Sequence, residues 1–186
     1  MRNEDMRFNQ TFVKSLVGRK FEAYKCDAFD FTNSVTQIVG LYIGGTVYKI
    51  TNVQEPVDYF GAKEDMAVCR LLKANKEDIQ SAFADVKQII TPVNEFIHAI
   101  TLVNEEQKLF RKDKLLYDVW LTRGIIFHLG EREISFEKDD VPFSEEIIIQ
   151  RGYNLKEKFE SPCGFLDGWD DDYHPKCRRD FVTIVK

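Results

Sequence analysis

At 186 residues and 21.8 kDa the chain has room for one full hydrophobic core, so a single domain over 1–186 is expected. A hydrophobic fraction of 44% and a charged fraction of 31% argue against a disordered chain. A net charge of −5 with a pI near 5.3 argues against direct nucleic-acid binding, which needs a basic excess to displace phosphate counterions.

The start Met1-Arg2-Asn3-Glu4-Asp5 is polar, and the longest apolar runs, around Val39–Ile43 and Ile125–Leu129, are too short to cross a bilayer. A cytoplasmic protein without membrane association is therefore expected, with Cys26, Cys69, Cys163 and Cys177 reduced. Fifteen Phe, seven Tyr and two Trp, many beside β-branched residues in short alternating runs, favour sheet over helical bundle. The expected class is α+β, mainly antiparallel β, as a sandwich or partly open barrel with two to four short helices.

Phe8, Phe12 and Leu16 recur every four residues and predict a short helix stopped at Gly18. Phe21–Cys26 reads as a strand. Val35–Ile43 and Thr46–Thr51 then form the clearest hairpin, turning at Gly44-Gly45 and setting Leu41 opposite Tyr48 and Val39 opposite Ile50. Met66–Leu72 is a further strand. Asn75, with Asp78 three residues on, is expected to cap a helix that carries Ile79 and Phe83 on one face.

Phe96–Val103 is the next strand, and Glu105–Lys114 reads as a charged loop. Tyr117–Leu129 is apolar for longer than a flat strand usually runs, with Gly124 placed for a bulge. Gly130-Glu131 turns the chain back into Glu133–Glu137, which sets His128 opposite Glu133. Glu146–Gln150 is a short buried strand, and Asn154 is expected to cap a helix through Phe159, with Glu157 completing a capping box. The shared order of Gly hairpin, Pro loop, strand and Asn-led helix suggests half-repeats about 19–85 and 96–160. Residues 161–180 read as an irregular excursion closed by a strand at Phe181–Val185.

Within that excursion Asp167, Trp169, Asp170, Asp171, Asp172 and Tyr173 place aromatic rings among carboxylates, the composition of a partner-binding loop. A binding or inhibitor-type module recognising a basic protein partner is the leading functional expectation, since acidic complementarity steers such encounters. An enzyme assembled around Asp118, Arg123, His128 and Glu133 is the alternative: the first two put charge inside the most apolar stretch, and a histidine beside a carboxylate can act as acid or base. A third reading is a small zinc module using Cys163, His174 and Cys177, which lacks a paired knuckle and a local fourth ligand, so no bound metal is expected. The chain contains no glycine-rich phosphate loop, Gly-x-Ser-x-Gly elbow or His-Glu-x-x-His, and no cofactor is expected.

Overall fold

Alternating apolar residues and tight glycine turns draw the chain into long antiparallel strands, seen in a computed structural model that describes residues 4–28, 32–59, 62–159 and 163–186. The strands are β1 (Glu4–Met6), β2 (Lys20–Asp27), β3 (Ser34–Thr36), β4 (Ile38–Ile43), β5 (Thr46–Tyr59), β6 (Ala62–Lys73), β7 (Gln88–Phe96), β8 (Ala99–Arg111), β9 (Lys114–Leu129), β10 (Arg132–Lys138), β11 (Glu146–Gly152) and β12 (Tyr173–Val185). Short helices α1 (Gln10–Lys14), α2 (Leu155–Lys158) and α3 (Cys163–Leu166) lie between them. No helix among the described residues is long and apolar enough to cross a membrane.

One sheet runs β12-β8-β9-β10-β11-β3, with β1 added in parallel to β9, and the other runs β6-β5-β4-β2-β7. They sandwich one main core. Phe21 meets Phe127 at 5.0 Å and Tyr24 meets Phe136 at 5.5 Å, each pair joining the two sheets edge-on or tilted, as aromatic quadrupoles prefer. The expected inner-face residues Val39, Leu41, Tyr48, Ile50, Ile125, Phe127, Ile134 and Phe136 are all buried. Burial of one such side chain is worth roughly 1.5–3 kcal/mol, so these eight supply much of the sandwich's cohesion. Both hairpin registers are as expected: Leu41 pairs with Tyr48 and His128 with Glu133.

Other expectations give way to tertiary context. Glu105–Lys114 is not a loop: Ala99–Arg111 and Lys114–Leu129 form one long hairpin whose charges are matched across strands, Arg179 reaching Glu105 at 2.5 Å and Lys108 reaching Asp118 at 3.8 Å. The strand expected over Phe96–Val103 divides between the end of β7 and the start of β8.

The helix after Asn75 shrinks to a 3-10 turn, Lys76–Asp78, in which Asp78 accepts the Asn75 N–H at 2.8 Å. Ile79 is drawn over Gly40, where an added Cβ would lie 2.7 Å from its side chain, and Lys25 Nζ donates to the Ile79 carbonyl at 2.8 Å. That anchorage stops the helix, and Phe83 is left exposed rather than sharing a face with Ile79.

Helix α2 forms as expected, but Asn154 is left-handed and does not cap it with its side chain. Glu133 accepts the first helical N–H, that of Leu155, at 2.7 Å. The two prolines that the expected half-repeats align lie in different settings, Pro56 inside β5 opposite Asp65 and Pro142 in the loop before β11. The excursion ends early, because β12 begins at Tyr173 and pairs with β8 along its whole length. The bulge expected at Gly124 is centred on its neighbour Arg123, which stands unpaired between Gly124–Val103 and Thr122–Asn104.

Candidate functional site

The β8–β9 hairpin projects beyond β10, which covers β9 only from Gly124 to Leu129. Its tip turns at Lys112-Asp113, with Lys112 in the left-handed region, and carries Arg111, Lys112 and Lys114. Because Tyr173 is the register partner of Arg111, the segment leading into β12 is delivered to this tip. Lys112 donates its N–H to the Asp172 carbonyl at 3.3 Å, and Tyr173 donates to that of Asp170 at 2.9 Å.

Between tip and segment lies an open groove of about 1200 Å³, lined on one side by Arg111, Lys112 and Lys114 and on the other by Trp169, Asp170 and Tyr173. A second hollow of about 540 Å³ adjoins it and adds Asp171 and Asp172. Asp167 is exposed and lines neither.

The aromatic residues of this segment are more structural than a solvated loop implies. Trp169 is half-buried, donates its indole N–H to the Phe165 carbonyl at 2.7 Å, and stacks between Phe165 and Tyr173 at 6.0 and 5.8 Å. Phe165 in turn packs on Tyr117 at 5.8 Å, within a second apolar cluster that includes Met66, Leu109 and Val119. The acid is also partly answered from within the chain. Arg111 lies 4.0 Å from Asp172 and 5.5 Å from the Tyr173 ring centroid. The groove therefore offers an aromatic floor between walls of opposite charge.

The alternative set of Asp118, Arg123, His128 and Glu133 does not converge. Asp118, Arg123 and His128 are spaced by five residues along β9, which is about 17 Å per step. Asp118 faces Lys108 at 3.8 Å. Arg123, 1% exposed, enters a buried ion cluster through its bulge position. It lies 3.2 Å from Glu137 and 3.5 Å from Glu105, and donates to the Lys138 carbonyl. Gln107 and Arg179 complete the surroundings of Glu105 at 3.0 and 2.5 Å.

Lys138, also buried, donates to the carbonyls of Asp139 and Val141 at 2.9 and 3.1 Å. Burial, reinforced by the nearby Arg123 charge, holds its ammonium down at about 8. Glu105, Glu137, Lys138 and Arg179 escaped sequence reading because their convergence depends on strand order. Glu105 and Arg179 are 74 residues apart.

His128 stands as expected, with Nδ1 2.9 Å from Glu133. Its other nitrogen, Nε2, lies 2.8 Å from the Thr101 hydroxyl, which lies 2.9 Å from that of Thr183. A line of carboxylate, imidazole and two hydroxyls thus crosses β10, β9, β8 and β12. Thr101 was missed because its strand partner is Ile126, and only the diagonal reaches His128. The chemistry available is proton relay, with Glu133 orienting the ring.

The zinc reading finds no support in the geometry. His174 and Cys177 are three apart in β12 and so point to opposite faces, and the Cys163 side chain lies outside the described residues. Burial and the adjacent Glu105 carboxylate push the Cys177 thiol up to about 12. No group of three or more potential ligands gathers among the described residues. No protein-family model matches this chain, and neither a curated protein nor a solved structure matches it.

Proposed function

We propose that this chain is a binding module that holds a segment of a protein partner in the groove between the β8–β9 tip and Gly168–Tyr173. The observation that carries the proposal is the composition of that groove: an aromatic floor of Trp169 and Tyr173 between Asp170–Asp172 and Arg111, Lys112 and Lys114. Interfaces favour aromatic anchors ringed by charge, and walls of both signs favour a segment that presents a basic residue to the aspartates and an acidic one to the tip. This extends the basic-partner reading, because Arg111 already answers Asp172 and leaves Asp170 and Asp171 as the more available carboxylates.

An array of short peptides varied in charge, probed with the intact protein, tests the idea. Trp169→Ala is expected to cost about 2 kcal/mol or more of binding. Since the indole also packs on Phe165, Asp170→Asn and Lys112→Glu serve as variants that leave the packing alone. They should slow association and weaken its salt dependence. Peptides that bind these variants as well as they bind the parent protein would place recognition elsewhere.

Hydrolytic chemistry is a second reading, favoured by the Glu133–His128–Thr101 line with its 2.9 and 2.8 Å spacings. Thr101 is only 2% exposed, so substrate would have to meet the line at Thr183.

A further inference from the structure

The outward face of the five-stranded sheet carries a trough of about 320 Å³, distinct from the groove already described. In β2, Phe21, Tyr24 and Cys26 point into the core, so Ala23 and Lys25 point outward, as do their register partners Pro92 and Ile90 on β7. Tyr42 and Val47, paired across the first hairpin, continue this apolar surface. Ile90 is 63% exposed although it lies in a regular strand, and Phe96, at the end of the same strand, is 58% exposed. Leu72, Phe83, Val86, Ile90 and Phe96 make up half of the large exposed apolar side chains among the described residues, and all come from one stretch of chain. Strand β7 is also an edge strand of its sheet.

Two charges at the trough form no ion pair among the described residues. Glu22 stands at the register shift between Phe21 and Ala23, and one carboxylate oxygen accepts the Gly45 N–H at 3.1 Å. Its other oxygen is buried without a hydrogen-bond partner. Lys76 lines the same trough and forms no ion pair among the described residues. A surface that bears a hollow, protruding apolar side chains and one uncompensated charge of each sign is complementary to itself under twofold rotation.

We propose that this face is the interface of a homodimer, in which Lys76 of each copy meets Glu22 of the other across the apolar trough. The protruding Ile90 and Phe96 of one copy then cover the exposed surface of the second, and the patch that would be a liability on a monomer is hidden. Each copy uses the same residues, so the contact closes and does not propagate.

Sedimentation velocity on the full chain, from micromolar to submillimolar concentration, tests the proposal. The parent protein is expected to pass from monomer to dimer, and Ile90→Glu to raise the dissociation constant at least about tenfold. Glu22→Lys and Lys76→Glu should each weaken the dimer, and the double exchange should restore it, because each copy again offers one charge of each sign. That rescue also separates lost association from lost folding, which circular dichroism of every variant checks. A chain that stays monomeric throughout the range overturns the proposal. So does a dimer indifferent to Ile90→Glu, or one that the double exchange fails to restore.

Discussion

Replacing Lys138 with Met changes how stability depends on pH, and the effect can be worked from one buried ammonium. The group sits inside the fold and donates to the carbonyls of Asp139 and Val141, and its pKa is lowered from 10.5 to about 8. At about 1.4 kcal/mol per pH unit of displacement, keeping it charged at neutral pH costs the fold roughly 3 kcal/mol. Between the two values the unfolded chain binds the proton and the native protein does not, so stability rises with pH through that window. Below about 8 the penalty is present in full. By linkage, about 1 kcal/mol is recovered between pH 7 and 9.

An opposing effect already enters below pH 9. The buried Cys26 and Cys69 thiols and the half-buried Cys177 thiol are pushed up from 9.0 to about 11, 12 and 12, so the unfolded chain ionises first and stability falls in parent and variant alike. Urea unfolding of parent and Lys138→Met at intervals from pH 7 to 9 should therefore show the parent gaining about 1 kcal/mol on the variant, because the thiol effect is common to both. A parent-minus-variant difference that stays constant over that range would refute the reasoning.

Gly124→Ala should destabilise by about 1–3 kcal/mol in the same assay, because the new Cβ would lie 2.7 Å from the Phe159 ring and 2.8 Å from the Phe136 carbonyl, and the carbonyl cannot move aside. If the Glu133–His128–Thr101 line is catalytic, the parent should hydrolyse phenyl esters faster than His128→Gln by about 100-fold or more, and the difference should vanish in Thr183→Val. Equal rates in parent and His128→Gln would make the line a structural ladder.

The hairpins were legible because alternation and a glycine turn fix register locally. Leu41 against Tyr48 and His128 against Glu133 follow from counting residues across a two-residue turn. The β8–β9 tip was not, because Glu105, Glu106, Gln107 and Lys108 carry no apolar alternation, although Leu109 and Phe110 beside a Lys112-Asp113 turn held a signal. Charge in a strand reads as loop until its partners are known, and those partners came from Arg178 and Arg179 on β12. Arg123 was correctly singled out as charge in an apolar stretch. Its partners are Glu105 and Glu137, which it reaches because a bulge turns Arg123 away from the alternation of its own strand.

The same limit shapes what the two surfaces can report. The groove is built from β8, β9 and the segment before β12, whereas the trough is built from β2, β4, β5 and β7 of the other sheet. They share no residue, so a dimer contact at Ile90 leaves the groove at Trp169 and Asp170 uncovered. A dimer of this kind presents two grooves, and a partner with two copies of the recognised segment would gain by effective concentration rather than by any new contact. Ile90→Glu should then weaken capture of a divalent peptide while leaving a monovalent one unchanged, whereas Asp170→Asn should weaken both.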